Sequence, residues 1–113
     1  MKFKILVFLV MVGTCISALQ GQEIAIRKGV VRDSIRINDS IPETFALYLP
    51  TSFEPGGKWP VLFAMDMQGR GKQIVHMFRE IAEREGYILA ASNNINDSLS
   101  IVQNTLITSR MFN

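Results

Sequence analysis

The chain has 113 residues, with 12 lysines and arginines against 10 aspartates and glutamates, one histidine and one cysteine. That length allows one small domain, and the single cysteine and single histidine leave no internal disulfide and no Cys/His zinc set. Lys2 and Lys4 carry the whole net charge of +2, so the rest of the chain is balanced and lacks the basic stripe of a nucleic-acid-binding protein.

The N-terminus is laid out as a secretory signal. Lys2 and Lys4 precede an unbroken apolar run from Ile5 to Val12, and small or polar residues come next at Gly13, Thr14, Ser17 and Ala18. The apolar stretch to Leu19 is shorter than the roughly 20 residues of a membrane-spanning helix, so no span is expected. Cleavage between Ala18 and Gln22 divides the chain into a signal, residues 1–21, and a mature part, residues 22–113, secreted or periplasmic. Val12-Gly13-Thr14-Cys15 is similar to a bacterial lipoprotein box. Thr14 stands where that box has Gly, Ala or Ser, which favours Cys15 as a plain signal residue over a lipid anchor. The mature part, slightly over 90 residues without disulfide or metal, is short of core for a secreted domain.

Residues 24–49 are strand-like. Ile24, Ile26, Val30, Val31, Ile35 and Ile37 alternate partly with Arg32, Asp33, Arg36 and Asn38; Asn38 to Pro42 is rich in turn formers; Phe45 to Leu49 is a second strand stopped by Pro50. The two are expected to form an antiparallel pair. After a loop containing Pro55-Gly56-Gly57, the run Val61 to Met65 has no polar alternation, the pattern of a strand covered on both faces. Lys72 to Glu85 is the clearest helix: Ile74, Met77, Phe78 and Ile81 form an apolar face, Gln73, His76, Glu80, Glu83 and Arg84 a polar one, and Gly86 sits where a left-handed cap belongs. Tyr87 to Ala91 is a second buried strand. Asp97 or Ser98 can cap a second helix running to Met111, with Leu99, Val102 and Leu106 at helical spacing. Strand, helix, strand, helix points to an α/β fold with a parallel βαβ unit. Ile-Asn-Asp-Ser occurs at 37–40 and again at 95–98, each copy an N-x-S sequon, in contexts too different for a structural repeat.

The turn Asp66-Met67-Gln68-Gly69-Arg70-Gly71 is the best candidate for chemistry. Unpaired N–H groups and the helix dipole favour an oxyanion or phosphate there, and the glycines permit close approach. A plain connecting loop accounts for the same composition. Gly71-Lys72 starts a P-loop ending, but Asp66 and Gln73 occupy its first-glycine and hydroxyl positions, and Ile74 breaks a dinucleotide fingerprint. No cofactor and no metal are expected. His76 reads as a solvated helix residue beside Glu80, and Asp66 as a conceivable lone general base without a partner.

Phe45-Ala-Leu-Tyr-Leu-Pro50, a polar loop, then Trp59-Pro-Val-Leu-Phe63 resembles the opening of secreted bacterial α/β-hydrolases of the esterase and depolymerase-like kind, over roughly residues 42–113. The resemblance implies the N-terminal half of a hydrolase sheet, antiparallel strands followed by a βαβα unit, incomplete because it stops before the nucleophile elbow. It further implies a serine hydrolase acting on ester bonds of a small or polymeric substrate. By position Gln68, with Met67 as the neighbouring choice, would supply an oxyanion-hole backbone N–H, although Asp66-Met67 replaces the family's His-Gly. None of the chain's serines has the glycine flanks of a G-x-S-x-G elbow and His76 comes too early for the Ser–acid–His order, so the chain alone is expected to be inactive. The alternative is a non-catalytic secreted module that uses the 66–71 turn to bind an anionic group.

Overall fold

The computed structural model describes residues 26–113 as a four-stranded mixed sheet with two helices, an α/β arrangement. The proposed signal and Cys15 lie outside the described residues. The strands are β1 (Arg32–Asn38), β2 (Ile41–Tyr48), β3 (Val61–Ala64) and β4 (Ile88–Ser92), and the helices α1 (Gly71–Glu85) and α2 (Ile101–Phe112). The sheet order is β1-β2-β4-β3, with β1–β2 and β2–β4 antiparallel and β3–β4 parallel.

The expected antiparallel pair is present, with a tighter turn and an earlier second strand. Asn38 Oδ1 accepts from the Ser40 and Ile41 amides at 2.9 and 3.0 Å, so Asp39-Ser40 alone makes the reversal. Pro42 therefore falls inside β2. Its missing N–H is tolerated because β4 pairs with β2 only from Phe45 onward, leaving Pro42 on an open margin. The second Ile-Asn-Asp-Ser makes a similar turn: Asn96 Oδ1 accepts the Ser98 amide at 2.7 Å. One local sequence thus gives one local bonding pattern in two unrelated places.

β4 is the buried strand the sequence predicts, with Leu89, Ala90 and Ala91 buried. β3 is not. It is the edge of the sheet, and Val61 and Met65 remain 53% and 54% exposed. An unalternating apolar run signals two covered faces only when both neighbours are present, and among the described residues β3 has β4 alone.

Helix α1 starts one residue before the expected Lys72 and ends at Glu85 as expected, and Gly86 closes it in the left-handed region (φ 74°), its N–H donating to the Ala82 carbonyl at 2.9 Å. The buried face is rotated from the predicted one. Gly71, Val75 and Ala82 are buried, with Ile74 and Phe78 at the margin, while Met77 is 73% exposed and Ile81 is also exposed. Small residues win because the helix lies close against Ala46, Tyr48, Ala64, Leu89 and Ala91, where bulky side chains would not fit. Glu83 also leaves the predicted solvated face. Its carboxylate accepts from the Tyr48 hydroxyl (2.7 Å), the Thr51 amide (2.9 Å) and the Thr51 hydroxyl. That clamp ties α1 to the end of β2, and burial followed by the Glu83 bond pushes the Tyr48 hydroxyl up to about 12.

Helix α2 begins at Ile101, later than predicted, because Ser100 forms the capping box. Its hydroxyl accepts from the Gln103 amide and the Gln103 side chain accepts from the Ser100 amide. Asp97-Ser98 is spent on the Asn96 turn instead. Ile107 is the buried anchor, whereas Val102 and Leu106 are exposed. Arg110 forks onto Glu43 of β2, and Phe112 meets Phe63 with ring centroids 5.1 Å apart.

Candidate functional site

β3 and β4 run parallel, so both release their chains at one rim of the sheet, where ligands bind in open α/β folds. The turn after β3, residues 65–70, and the loop after β4, residues 93–100, meet there. Gln68 and Asn96 form an isolated antiparallel bridge, and the Asp97 amide donates to the Met67 carbonyl at 2.7 Å. Gly69 has φ +70°, and its N–H closes the turn onto the Asp66 carbonyl at 3.0 Å. A Cβ at Gly69 would stand 2.7 Å from the Asn93 carbonyl oxygen. A Cβ at Gly71 would overlap Asn93 Oδ1 and lie 2.8 Å from the carbonyl oxygens of Ala91 and Ser92. The two glycines let the turn sit directly on the end of β4.

Within the turn the charges cancel. Asp66 Oδ2 accepts from the Arg70 amide (3.0 Å) and from Arg70 Nε (2.8 Å), with Arg70 Nη2 at 3.3 Å from Oδ1. The Arg70 guanidinium, with smaller help from the Arg70 and Gln68 amides, holds the Asp66 carboxyl below the usual carboxylate range. Such a carboxylate is a poor proton acceptor, which removes Asp66 as a general base. Of the two sequence-predicted amides, that of Gln68 leans toward Asp66, while that of Met67 donates to no acceptor among the described residues. No side chain caps the start of α1.

The residues that hold this rim together are polar ones that read as plain loop in the sequence. Asn93 Nδ2 donates to Asp33 Oδ1 (2.9 Å) and Thr44 Oγ1 (3.0 Å), and Asn94 Oδ1 accepts the Thr44 amide (2.9 Å). Ser92, buried, accepts the Asn94 and Ile95 amides on its hydroxyl. Asn104 of α2 clips the loop reciprocally: its Oδ1 accepts the Asn96 amide at 3.1 Å and its Nδ2 donates to the Asn96 carbonyl at 2.8 Å. The signal for them is Ser92-Asn93-Asn94-Ile95-Asn96 directly after a buried strand, since polar side chains there must satisfy loop backbone at the rim.

Of the cavities that border the turn, two bear on its chemistry. One of about 510 Å³ borders Gly69 to Gly71 and is polar, lined by Asp33, Ser34, Thr44, Lys72, His76 and Asn93. Ser34 sits there at a β-bulge with φ +57°, a costly conformation for a residue with a Cβ. His76 is on the exposed side of α1 as expected, and among the described residues no hydrogen bond joins it to Ser34 or Asp33. The cleft therefore holds no assembled nucleophile–base pair. The other cavity, about 480 Å³, borders Met65 and Met67 and is apolar.

No family model, no curated protein and no solved structure matches this chain. Among the described residues no helix is long and apolar enough to cross a membrane, and no three His, Cys, Asp or Glu side chains are grouped to hold a metal ion.

Proposed function

We propose that this chain is the N-terminal half of a secreted serine hydrolase acting on ester bonds, and that its 66–71 turn supplies one N–H of the oxyanion hole. The observation that carries the reading is the position of the turn. It comes after a parallel strand, precedes the first helix of a βαβ unit, and is fixed at the rim by the Gln68–Asn96 bridge. That is the strand-to-helix loop from which α/β-hydrolases draw an oxyanion donor. Met67 is the better donor of the two, because its amide is uncommitted while that of Gln68 leans toward Asp66. The exposed edge of β3 supports the same reading: another parallel strand placed there would cover Val61, Leu62 and Met65. Nucleophile, acid and histidine would come from that further chain.

The test is the coding DNA beyond the Asn113 codon. A continuing frame with a buried strand and a glycine-flanked serine supports the proposal, and the longer product should then cleave p-nitrophenyl butyrate. A frame without such a serine, or a longer product that leaves the ester intact, would overturn it.

A further inference from the structure

The polar cleft beside Gly69 to Gly71 opens between β1, β2 and the start of α1. In the sheet order β1-β2-β4-β3 this is the flank away from the edge of β3, so a strand added at that edge would not reach it. Its wall has one fixed point. Asn93 commits both hydrogens of its side-chain amide, one to Asp33 Oδ1 at 2.9 Å and one to Thr44 Oγ1 at 3.0 Å. A carboxylate only accepts, so the amide cannot be turned over, and Asn93 Oδ1 is left as an acceptor with no partner among the described residues. Asp33 Oδ2 likewise accepts from no described residue, and Thr44, having accepted from Asn93, keeps its own hydroxyl hydrogen to donate. Ser34 adds a second hydroxyl, held at φ +57° on the β1 bulge. Glycine would adopt that conformation freely, whereas serine holds it against strain, and such outliers cluster at ligand clamps.

The charges decide the class of ligand. Lys72 and Asp33 oppose one another in the lining and Arg70 is paired with Asp66, so with His76 neutral the cleft has no net field to select an ion. No large apolar side chain lines it, which leaves nothing to favour an apolar ligand. It offers acceptors and donors side by side, the pattern that adjacent hydroxyls on one molecule satisfy. We propose that this cleft binds a neutral sugar, two neighbouring ring hydroxyls donating to Asn93 Oδ1 and Asp33 Oδ2 and accepting from Thr44 and Lys72, with Ser34 as a further contact. Its volume, about 510 Å³, lies in the range of small-molecule sites. No aromatic ring lines the cleft for the sugar to stack on, so hydrogen bonds alone hold it and the Kd should be on the order of 1 mM.

The experiment is a titration of the full chain, ¹⁵N-labelled, with the methyl α-D-pyranosides of glucose, galactose and mannose, which between them present trans and cis vicinal diols. At least one should shift the Asn93 side-chain amide signals saturably, while those of Asn104, committed to the clip on Asn96, stay still. Ser34→Gly should weaken that sugar about fivefold and at the same time raise the urea midpoint, because it removes a hydroxyl and relieves the backbone together. A serine with a merely structural role would give the second effect without the first. Lys72→Met, on the exposed surface, should weaken binding by about the same factor. No saturable shift with any of the three sugars, an equal shift at Asn104, or unchanged affinity in either variant would each overturn the proposal. Inorganic phosphate moving the Asn93 signals while all three sugars leave them still would overturn it in favour of an anion site. The proposed ester hydrolysis enters none of these readouts, so the two ideas stand or fall separately.

Discussion

Gly71 lies against Asn93 so closely that its Cα hydrogens occupy the only room between the first turn of α1 and the carbonyl oxygens ending β4. Replacing it by alanine sets a methyl group against backbone, which cannot swing aside as a side chain could. Gly71→Ala should therefore destabilise the chain by about 2–3 kcal/mol, read as a lower urea midpoint with unchanged slope. It should also push the 66–71 turn off the rim, so that the Asp97 amide, bonded to the Met67 carbonyl, exchanges its hydrogen faster.

The Asn104–Asn96 clip is the main polar link between α2 and the rim. Removing it leaves the partly buried Asn96 amide without its acceptor and the Asn96 carbonyl with the Leu99 amide alone, at 3.2 Å. Asn104→Ala should cost about 1–2 kcal/mol. Ser100→Ala, which removes the capping box a few residues earlier, should cost about 1 kcal/mol. The two effects act on one short segment and should fall short of additive in the double variant, which a thermodynamic cycle of urea titrations would show.

Much of this fold is legible in the sequence because it rests on strong local signals. The hairpin turn chemistry at Asn38 to Ser40, the αL glycine at 86 and the buried character of Leu89 to Ala91 come from residue types whose conformational preferences or burial dominate their neighbourhood. The failures share a cause as well. The helical wheel of α1 ranks Met77 and Ile81 above Gly71 and Ala82 because periodicity weighs hydrophobicity, while the sheet selects by size. β3 looks doubly covered because composition cannot tell which neighbours a strand has. At the candidate site the glycines and the turn are visible in the sequence, but the Asn93, Asn94 and Asn104 scaffold is not. The partners of Asn93 and Asn94 lie far away in the chain, at Asp33 and Thr44, and only the sheet register brings them together, whereas Asn104 reaches eight residues back to Asn96 through the loop that leads into α2.

The Glu83 clamp gives the chain a pH dependence at both ends. Hydrogen bonds from Thr51 and Tyr48 hold the Glu83 carboxyl below its ordinary value, so its contribution is present above the usual glutamate range and is lost as pH falls through the depressed folded value. Tyr48 runs the other way. Its pKa rises from 10.0 to about 12, so its contribution is complete below pH 10 and fades as pH climbs toward 12. Glu83→Gln should thus differ most from the parent chain near neutrality and converge with it in acid. Tyr48→Phe should do so in strong alkali. Urea midpoints across pH for the three proteins check both signs.

The open edge of β3 sets the behaviour of the isolated chain in solution. The Ile88 amide bonds the Pro60 carbonyl at 2.9 Å, and the parallel register then points the backbone groups of Leu62 and Ala64 at β4. Those of Val61 and Phe63 are left facing outward. This edge carries no charge between Val61 and Met65 and no bulge, the devices that keep natural edges from pairing with one another. The chain should therefore self-associate as its concentration rises. Val61→Lys places a charge on that edge at a half-exposed position outside the core cluster. It should suppress association while changing stability by no more than about 0.5 kcal/mol. Light scattering against concentration, paired with a urea titration of each protein, measures the two effects separately. Association undiminished in Val61→Lys would place the sticky surface elsewhere, at the exposed Met77–Ile81 stripe of α1 or at Phe112.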